Sequence, residues 1–255
     1  MAIKIAVANQ KGGVGKTTTS ICLAQELISK GFKVLFIDTD SQCNSTNFYE
    51  AKIENQETMM DILCGDEPAE HCIQHTSKGD IIASDKQLKD AETVVKVDER
   101  RFTHLKRSLK GIENQYEFII MDNPPNLGVC LKNVLATADY VIMPIVEDAW
   151  SLDGVMDFTE AIELAQENNE KLKVLGILTI KAKVRTNKSK RMNEFANTIA
   201  EKLNTTVFNT KIRESVACSE ALTEYLVPLH KYAPNSTTAT DYKAFVDELL
   251  KKLEN

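Results

Sequence analysis

Lys11-Gly-Gly-Val-Gly-Lys-Thr-Thr18 follows directly on the apolar run Ile3 to Ala8, and this junction decides the fold expected of the whole chain. An apolar run that breaks into a glycine-rich turn ahead of a helical stretch reads as strand, loop and helix in immediate succession. Such a turn points successive backbone N–H groups inward at an anion, and the positive end of the helix dipole adds to that field. Gly12, Gly13, Val14, Gly15, Lys16, Thr17 and Thr18 would line the cradle, with Lys16 reaching the terminal phosphates and Thr17 holding Mg²⁺. The spacing departs from G-x-x-x-x-G-K-[ST], because Gln10 stands at the first glycine position and a second lysine, Lys11, opens the loop.

Outward from the loop, short apolar runs alternate with amphipathic segments, the pattern of strands joined by crossover helices. Strands are expected at Ile3 to Ala8, Val34 to Ile37, Asp80 to Ala83, Phe118 to Met121, Tyr140 to Ile145, Val174 to Ile180 and Thr206 to Ile212. Several lack polar alternation, as parallel strands covered on both faces do. Helices are expected at Thr17 to Ser29, Gly128 to Ala136, Leu152 to Glu167, Lys190 to Leu203, Ser215 to Glu224 and Thr240 to Leu253. The expected class is α/β: a doubly wound, mostly parallel sheet flanked by helices, one domain over residues 1–255, with ligands at the carboxyl ends of the strands.

Composition agrees with a folded core. The chain has 255 residues, 43% of them hydrophobic, and a formal net charge of −6. Its first residues are too short for a signal segment and run straight into the loop, and no stretch of 18 apolar residues occurs, so a cytoplasmic protein is expected. Six cysteines scattered without a C-x-x-C pair argue for reduced thiols rather than a disulfide framework or zinc ribbon.

Two acidic sites fall where such a sheet would aim them. The run Val34 to Ile37 ends in Asp38-Thr-Asp40-Ser-Gln-Cys-Asn44, and the run Phe118 to Met121 ends in Asp122-Asn-Pro-Pro125. A carboxylate beside a phosphate loop can hold Mg²⁺ through water, and another can orient the water that attacks the γ-phosphate. Asp122 is assigned the first role and Asp40 the second, with Thr17, Asp40 and Asp122 forming the metal set. An apolar strand ending in Asp is by itself a common turn or cap arrangement; two such ends beside one loop favour the site.

The segments KGGVGKTT, IDTDSQCN, IIMDNPP, NLGVCLKNVLATADYVIMPI and SEALTEYLVPL together resemble the ParA/Soj family of partition ATPases, within the MinD-like deviant Walker A class, from about residue 3 to the C-terminus. The resemblance implies binding of ATP and ADP with Mg²⁺ and slow intrinsic hydrolysis. It also implies an ATP-bound homodimer in which Lys11 crosses to touch the partner's phosphates, non-specific DNA binding by that dimer, and a ParB-like, centromere-bound partner that stimulates turnover. With Asp40, Lys11 and Lys16 would make up the catalytic set, and location on the nucleoid follows. The loop starts too early for the N-terminal helix-turn-helix domain of longer plasmid relatives, so a separate regulator is expected. Two departures stand out. Where relatives commonly read D-P-Q-G-N, this chain reads Asp40-Ser-Gln-Cys-Asn44, and where Soj-like relatives carry an arginine before S-E-A this chain has Ala217, with Arg213 four residues upstream.

DNA binding also has support in the residues themselves. Lys181-Ala-Lys-Val-Arg-Thr-Asn-Lys-Ser-Lys-Arg191 holds six cations and no acid in eleven residues. Such a cluster neutralises phosphates without reading bases. A solvated helix start is the plainer account, yet cations at a helix N-terminus oppose its dipole, a local cost that favours a function. Arg185, Lys188, Lys190 and Arg191 are the first candidates for DNA contact and Arg213 a further one.

Other features are set aside. Arg100 to Lys110 has Phe102, Leu105 and Leu109 at helical spacing and reads as a surface helix. His71 and His75 have the i, i+4 spacing of a helical metal pair but no third ligand. Cys130 reads as a small apolar residue at a helix start. The apolar stripe Tyr242, Phe245, Val246, Leu249, Leu250, Leu253 carries three basic and three acidic residues on its polar face, so it reads as a core helix and no membrane partner is expected. A MinD-like membrane-positioning ATPase, or a relative positioning another cargo, is the alternative reading.

Overall fold

The computed structural model describes residues 1–146, 152–182 and 187–254, with side chains outside 152–156 and 187–192. Its strands are β1 Ile3–Val7, β2 Val34–Asp38, β3 Ile73–Thr76, β4 Gly79–Ile82, β5 Phe118–Asp122, β6 Tyr140–Val146, β7 Lys173–Ala182 and β8 Ile212–Arg213. They form one sheet in the order β3-β4-β2-β5-β1-β6-β7-β8. Every pairing is parallel except β3 with β4. The principal helices are α1 Lys16–Ser29, α2 Asn44–Tyr49, α3 Met59–Gly65, α4 His104–Ser108, α5 Val129–Thr137, α6 Leu152–Asn168, α7 Asn187–Lys202 and α8 Thr237–Leu253.

The unbroken apolar runs are explained by the two faces they serve. Along a strand successive side chains point to opposite sides. Leu35 and Ile37 of β2, with Ile119 and Met121 of β5, enter a core shared with α3, α5, α6 and α7. Val34 and Phe36, with Phe118 and Ile120, enter a second core closed by α1, α2 and α8. Both faces are buried, so each strand is apolar at consecutive positions. In α8, Tyr242, Phe245, Val246 and Leu249 are all buried in this second core. The stripe at the C-terminus is therefore packed against the sheet. No helix among the described residues is long and apolar enough to cross a membrane.

The doubly wound, mostly parallel sheet matches the expectation, with local corrections. The run Thr206 to Ile212 is not a strand: only Ile212–Arg213 pairs with β7, beyond an isolated bridge from Val207 to Ile177. Antiparallel β3 was not expected, and His75 lies on it while His71 lies in a short helical turn, Ala69–Cys72. The two imidazoles thus share no helical face, and they pair instead with Glu67 and Asp80. The stretch Arg100 to Lys110 is helical only over α4; Leu105 and Leu109 are buried, while Phe102 precedes the helix and is 39% exposed. Ser215 to Glu224 is divided between a helical turn at Val216–Ser219 and a π-helical turn at Glu220–Glu224.

Candidate functional site

The loop between β1 and α1 closes through two glycines in the left-handed region, Gly13 at φ 74° and Gly15 at φ 70°. Gly15 caps α1 without any side-chain bond to the first turn, so the first backbone N–H groups of that helix stay available to an anion. Asn9 fixes the base of the loop: its amide donates to the Pro144 carbonyl at 2.8 Å, and its Oδ1 accepts from the Lys11 N–H at 3.0 Å. Val14 is buried, whereas Lys11, Gly12 and Gly13 are exposed and Thr17 and Thr18 half-buried.

Lys16 behaves differently from Lys11. Its side chain is buried, and its ammonium donates to the Lys11 carbonyl at 3.0 Å, folded across the loop. Burial lowers its pKa, and the nearby charges of Asp122 and Asp40 work the other way. Lys11, by contrast, is exposed at the start of the loop.

The two acidic strand ends meet because β2 and β5 pair in parallel with Asp38 directly beside Asp122. Asp122 is fully buried and accepts hydroxyl bonds from Ser20 of α1 at 3.1 Å and Ser45 of α2 at 2.8 Å, with the Thr17 hydroxyl as a further donor. Asp40 lies half-exposed at the mouth; its Oδ1 accepts from the Gln42 N–H at 2.9 Å, and the Ser84 hydroxyl donates to its carbonyl. Asp40, Asp122, Lys16 and the loop thus converge, from three strand ends and one helix.

Sequence reasoning missed Asp38. It is fully buried and accepts from the Asp40 N–H at 3.1 Å and from both the N–H and hydroxyl of Thr46 at 2.8 Å. Burial pushes the pKa of both Asp38 and Asp122 up, and in Asp38 the neighbouring Asp122 charge pushes the same way. Ser20, Ser45 and Asn123 were missed too. Asn123 donates to the Val7 and Met121 carbonyls, tying β1 to β5 beneath the loop. A visible signal existed only for Asp38, in the D-x-D spacing. Cys43, where relatives carry glycine, adopts φ 54° and is buried. A side chain in that region costs about 1–2 kcal/mol, so the turn keeps a glycine-like backbone without the glycine.

The candidate DNA contacts divide. Arg185 lies outside the described residues, as do the side chains of Lys188, Lys190 and Arg191 at the start of α7. Arg213 is described, and its guanidinium forks onto Asp241 at 2.9 and 2.7 Å. That pairing offsets much of its charge locally. Among the described residues no group of His, Cys, Asp and Glu is arranged as a metal cluster.

Comparison with known proteins agrees with this architecture. A family model described as an AAA domain matches residues 2–174. The sporulation initiation inhibitor protein Soj of Bacillus subtilis is 32% identical over 249 residues, covering 96% of this chain and 97% of that protein. Among solved structures, cobyrinic acid a,c-diamide synthase from Mycobacterium smegmatis, with bound ADP and magnesium, superposes with a TM-score of 0.83 at 28% identity over 100% of this chain and 96% of that one. A putative plasmid partition protein from Borrelia burgdorferi, bound to AMPPNP, gives 0.77 at 26% identity over 100% and 99%. The glycine loop with its two lysines, the paired strand ends and near full-length similarity converge on one assignment: the chain belongs to the ParA/Soj-type P-loop ATPases.

Proposed function

We propose that this protein is a partition ATPase that binds ATP with Mg²⁺, closes into a homodimer, holds DNA non-specifically and releases it on hydrolysis. The observation that carries the reading is the convergence of Lys16, Asp122 and Asp40 on the Gly12 to Thr18 loop, with a second lysine exposed at its entrance. The donor set suits a dication. The fully buried carboxylate of Asp122 and the half-exposed one of Asp40 face a single buried ammonium, a surplus of negative charge that Mg²⁺ on Thr17 and Asp122 would balance. Bound there, the ion supplies charge neutralisation for the transferring phosphoryl group. The relatives solved with ADP and magnesium or with AMPPNP support the same ligand class.

Each residue of the chain then has a task. The loop N–H groups of Gly12 to Thr18 cradle the phosphates, and Lys16, freed from the Lys11 carbonyl, moves its charge onto the terminal phosphate. Ser20 and Ser45 hold Asp122 in one orientation, so the metal ligand is fixed before the nucleotide arrives. Asp40 orients the attacking water. Lys11 supplies a second positive charge to the neighbouring protomer's phosphates, which makes turnover conditional on dimerisation. The cations at 181–191 lie doubled on the dimer, and their contacts are to phosphate, so binding is insensitive to sequence and weakens steeply with salt. A ParB-like protein stimulates hydrolysis, and the protein works in the cytoplasm on the nucleoid.

The test separates retention from turnover. Asp40→Ala is expected to bind ATP and retain DNA in gel shifts while phosphate release falls by about 10²-fold or more. Normal phosphate release by that variant removes Asp40 from the mechanism. Liposome pelleting with ATP but no DNA retention would instead support membrane positioning.

A further inference from the structure

Asp40 stands beyond the last rung of β2, where the sheet no longer holds the chain, and it is half-exposed. Both of its backbone groups are nevertheless claimed by buried residues. Its N–H donates to Asp38 Oδ1 at 3.1 Å, and its carbonyl accepts from the Ser84 hydroxyl at 2.7 Å. Thr46 joins these two partners: its N–H and hydroxyl each donate to Asp38 Oδ2 at 2.8 Å, and its Oγ1 accepts from the Ser84 N–H at 2.8 Å. The bonds close a ring through Asp40, Asp38, Thr46 and Ser84. It draws on the end of β2, the first turn of α2 and the chain just past β4, and Asp38, Thr46 and Ser84 are all buried.

We propose that Ser84 and Thr46 are positioning residues for hydrolysis: through this ring they fix the backbone of Asp40, and with it the carboxylate that orients the attacking water. The inference rests on that role of Asp40. Polar satisfaction of the Asp40 carbonyl does not require Ser84, since that oxygen already accepts from the Cys43 N–H at 2.9 Å. The turn closed by this N–H is a weak support by itself, because Cys43 sits at φ 54°, a conformation strained for any residue with a side chain. The Ser84 hydroxyl adds the restraint that the strained turn lacks.

The other flank is held as well. Thr39 donates its N–H and its hydroxyl to the Asp122 carbonyl at 3.0 and 2.8 Å, so residues 38–40 are bonded to β5 on one side and to the end of β4 on the other. The Asp40 carboxylate has one oxygen restrained, Oδ1, which accepts from the Gln42 N–H at 2.9 Å. Oδ2 takes no such bond among the described residues and is the oxygen left for water. The Thr46 hydroxyl donates and accepts within the ring, so each bond polarises the next. Loss of one hydroxyl therefore loosens Asp40 without removing a group that meets the nucleotide. A misplacement of about 1 Å in such a group costs about 10²-fold in rate.

The test measures single-turnover ATP hydrolysis with Mg²⁺ beside ATP affinity, on the full chain. Ser84→Ala is expected to hydrolyse about 10- to 100-fold more slowly while its dissociation constant for ATP stays within about twofold of wild type. Thr46→Val keeps the side-chain shape but loses the hydroxyl between Asp38 and Ser84, and the same pattern is expected. Thr46→Ser restores that hydroxyl and is expected to stay within about threefold of the wild-type rate. Where circular dichroism shows that Thr46→Val does not fold, Ser84→Ala decides alone. Wild-type hydrolysis by Ser84→Ala, beside a slow Asp40→Ala, overturns the inference and leaves the ATPase reading standing. Normal hydrolysis by Asp40→Ala overturns that reading and the inference with it. ATP affinity lost in step with rate, or Thr46→Ser as slow as Thr46→Val, shows a merely structural role and overturns the positioning.

Discussion

Replacing Gly15 by alanine tests the loop at its tightest point, and the structure separates the cost into two parts. Gly15 has φ 70° and ψ 29°, where a side chain costs about 1–2 kcal/mol. An added Cβ also runs into the Ile180 Cδ1 atom of β7, while the next atom, Cγ1, stands at 3.9 Å. Ile180 is buried, so its end cannot swing freely, and overpacking of this kind costs about 1–3 kcal/mol. Gly15→Ala should therefore lose about 2–5 kcal/mol in urea unfolding, the sum of those two ranges. Ile180→Val removes the clashing methyl and alone should cost about 0.5–1.5 kcal/mol. In the double variant the overpacking disappears and only the backbone part and the small cavity remain. The double-mutant cycle should then show an interaction of about 1–3 kcal/mol in favour of the pair. Additivity within about 0.5 kcal/mol would refute the contact, and a loss below about 0.5 kcal/mol for Gly15→Ala alone would refute the left-handed backbone itself.

Three further outcomes are expected. Lys11→Ala should bind nucleotide as a monomer, and an ATP-dependent dimer of that variant in light scattering would contradict the role of the exposed lysine. Reversing Arg185, Lys188 and Arg191 to glutamate should abolish DNA retention without changing ATP affinity; unaltered gel shifts count against the basic cluster. Asp38 holds a proton in the folded chain that the unfolded chain has released, because burial first and Asp122 second push its pKa up to about 7. The folded state binds more protons between about pH 4 and 7, so the nucleotide-free protein loses stability as pH rises through that window. Asp38→Asn should flatten the slope of urea unfolding free energy against pH, and an unchanged slope would rule Asp38 out as its source.

What could be read in advance followed the strength of the local signal. The five strands of five or more residues, β1, β2, β5, β6 and β7, were legible because each is rich in apolar residues covered on both sides. The four residues of β3 escaped because Ile73, Gln74, His75 and Thr76 carry little apolar content, and pairing with β4 at the sheet edge, not propensity, makes them a strand. α2 escaped for a related reason. It begins at Asn44, runs six residues between left-handed Cys43 and Glu50, and is held by burial of Phe48 and Tyr49 rather than by helix propensity. In the candidate site, the meeting of Lys16, Asp40 and Asp122 was legible because each stands at a strand end or helix start that the sheet brings together. Ser20, Ser45 and the buried state of Asp38 were not, since they become neighbours of Asp122 only after β1, β2 and β5 assemble. Arg213 shows the converse: a cation conspicuous in sequence has its guanidinium engaged by Asp241, 28 residues away.

The pairing of Asp38 with Asp122 across β2 and β5 has a consequence for how such a chain can change over time. The spacing of those carboxylates is counted out in ladder rungs, from Val34 opposite Phe118 to the last residue of each strand. Adding or deleting one residue within either strand would turn its terminal carboxylate to the opposite face of the sheet and exchange the inhabitants of the two cores at once. Residues inserted after Glu50 or after Val95, beyond the rungs, leave the count untouched. Length variation among homologues should therefore accumulate in those surface connections, while β2 and β5 keep constant length even where their individual apolar residues drift.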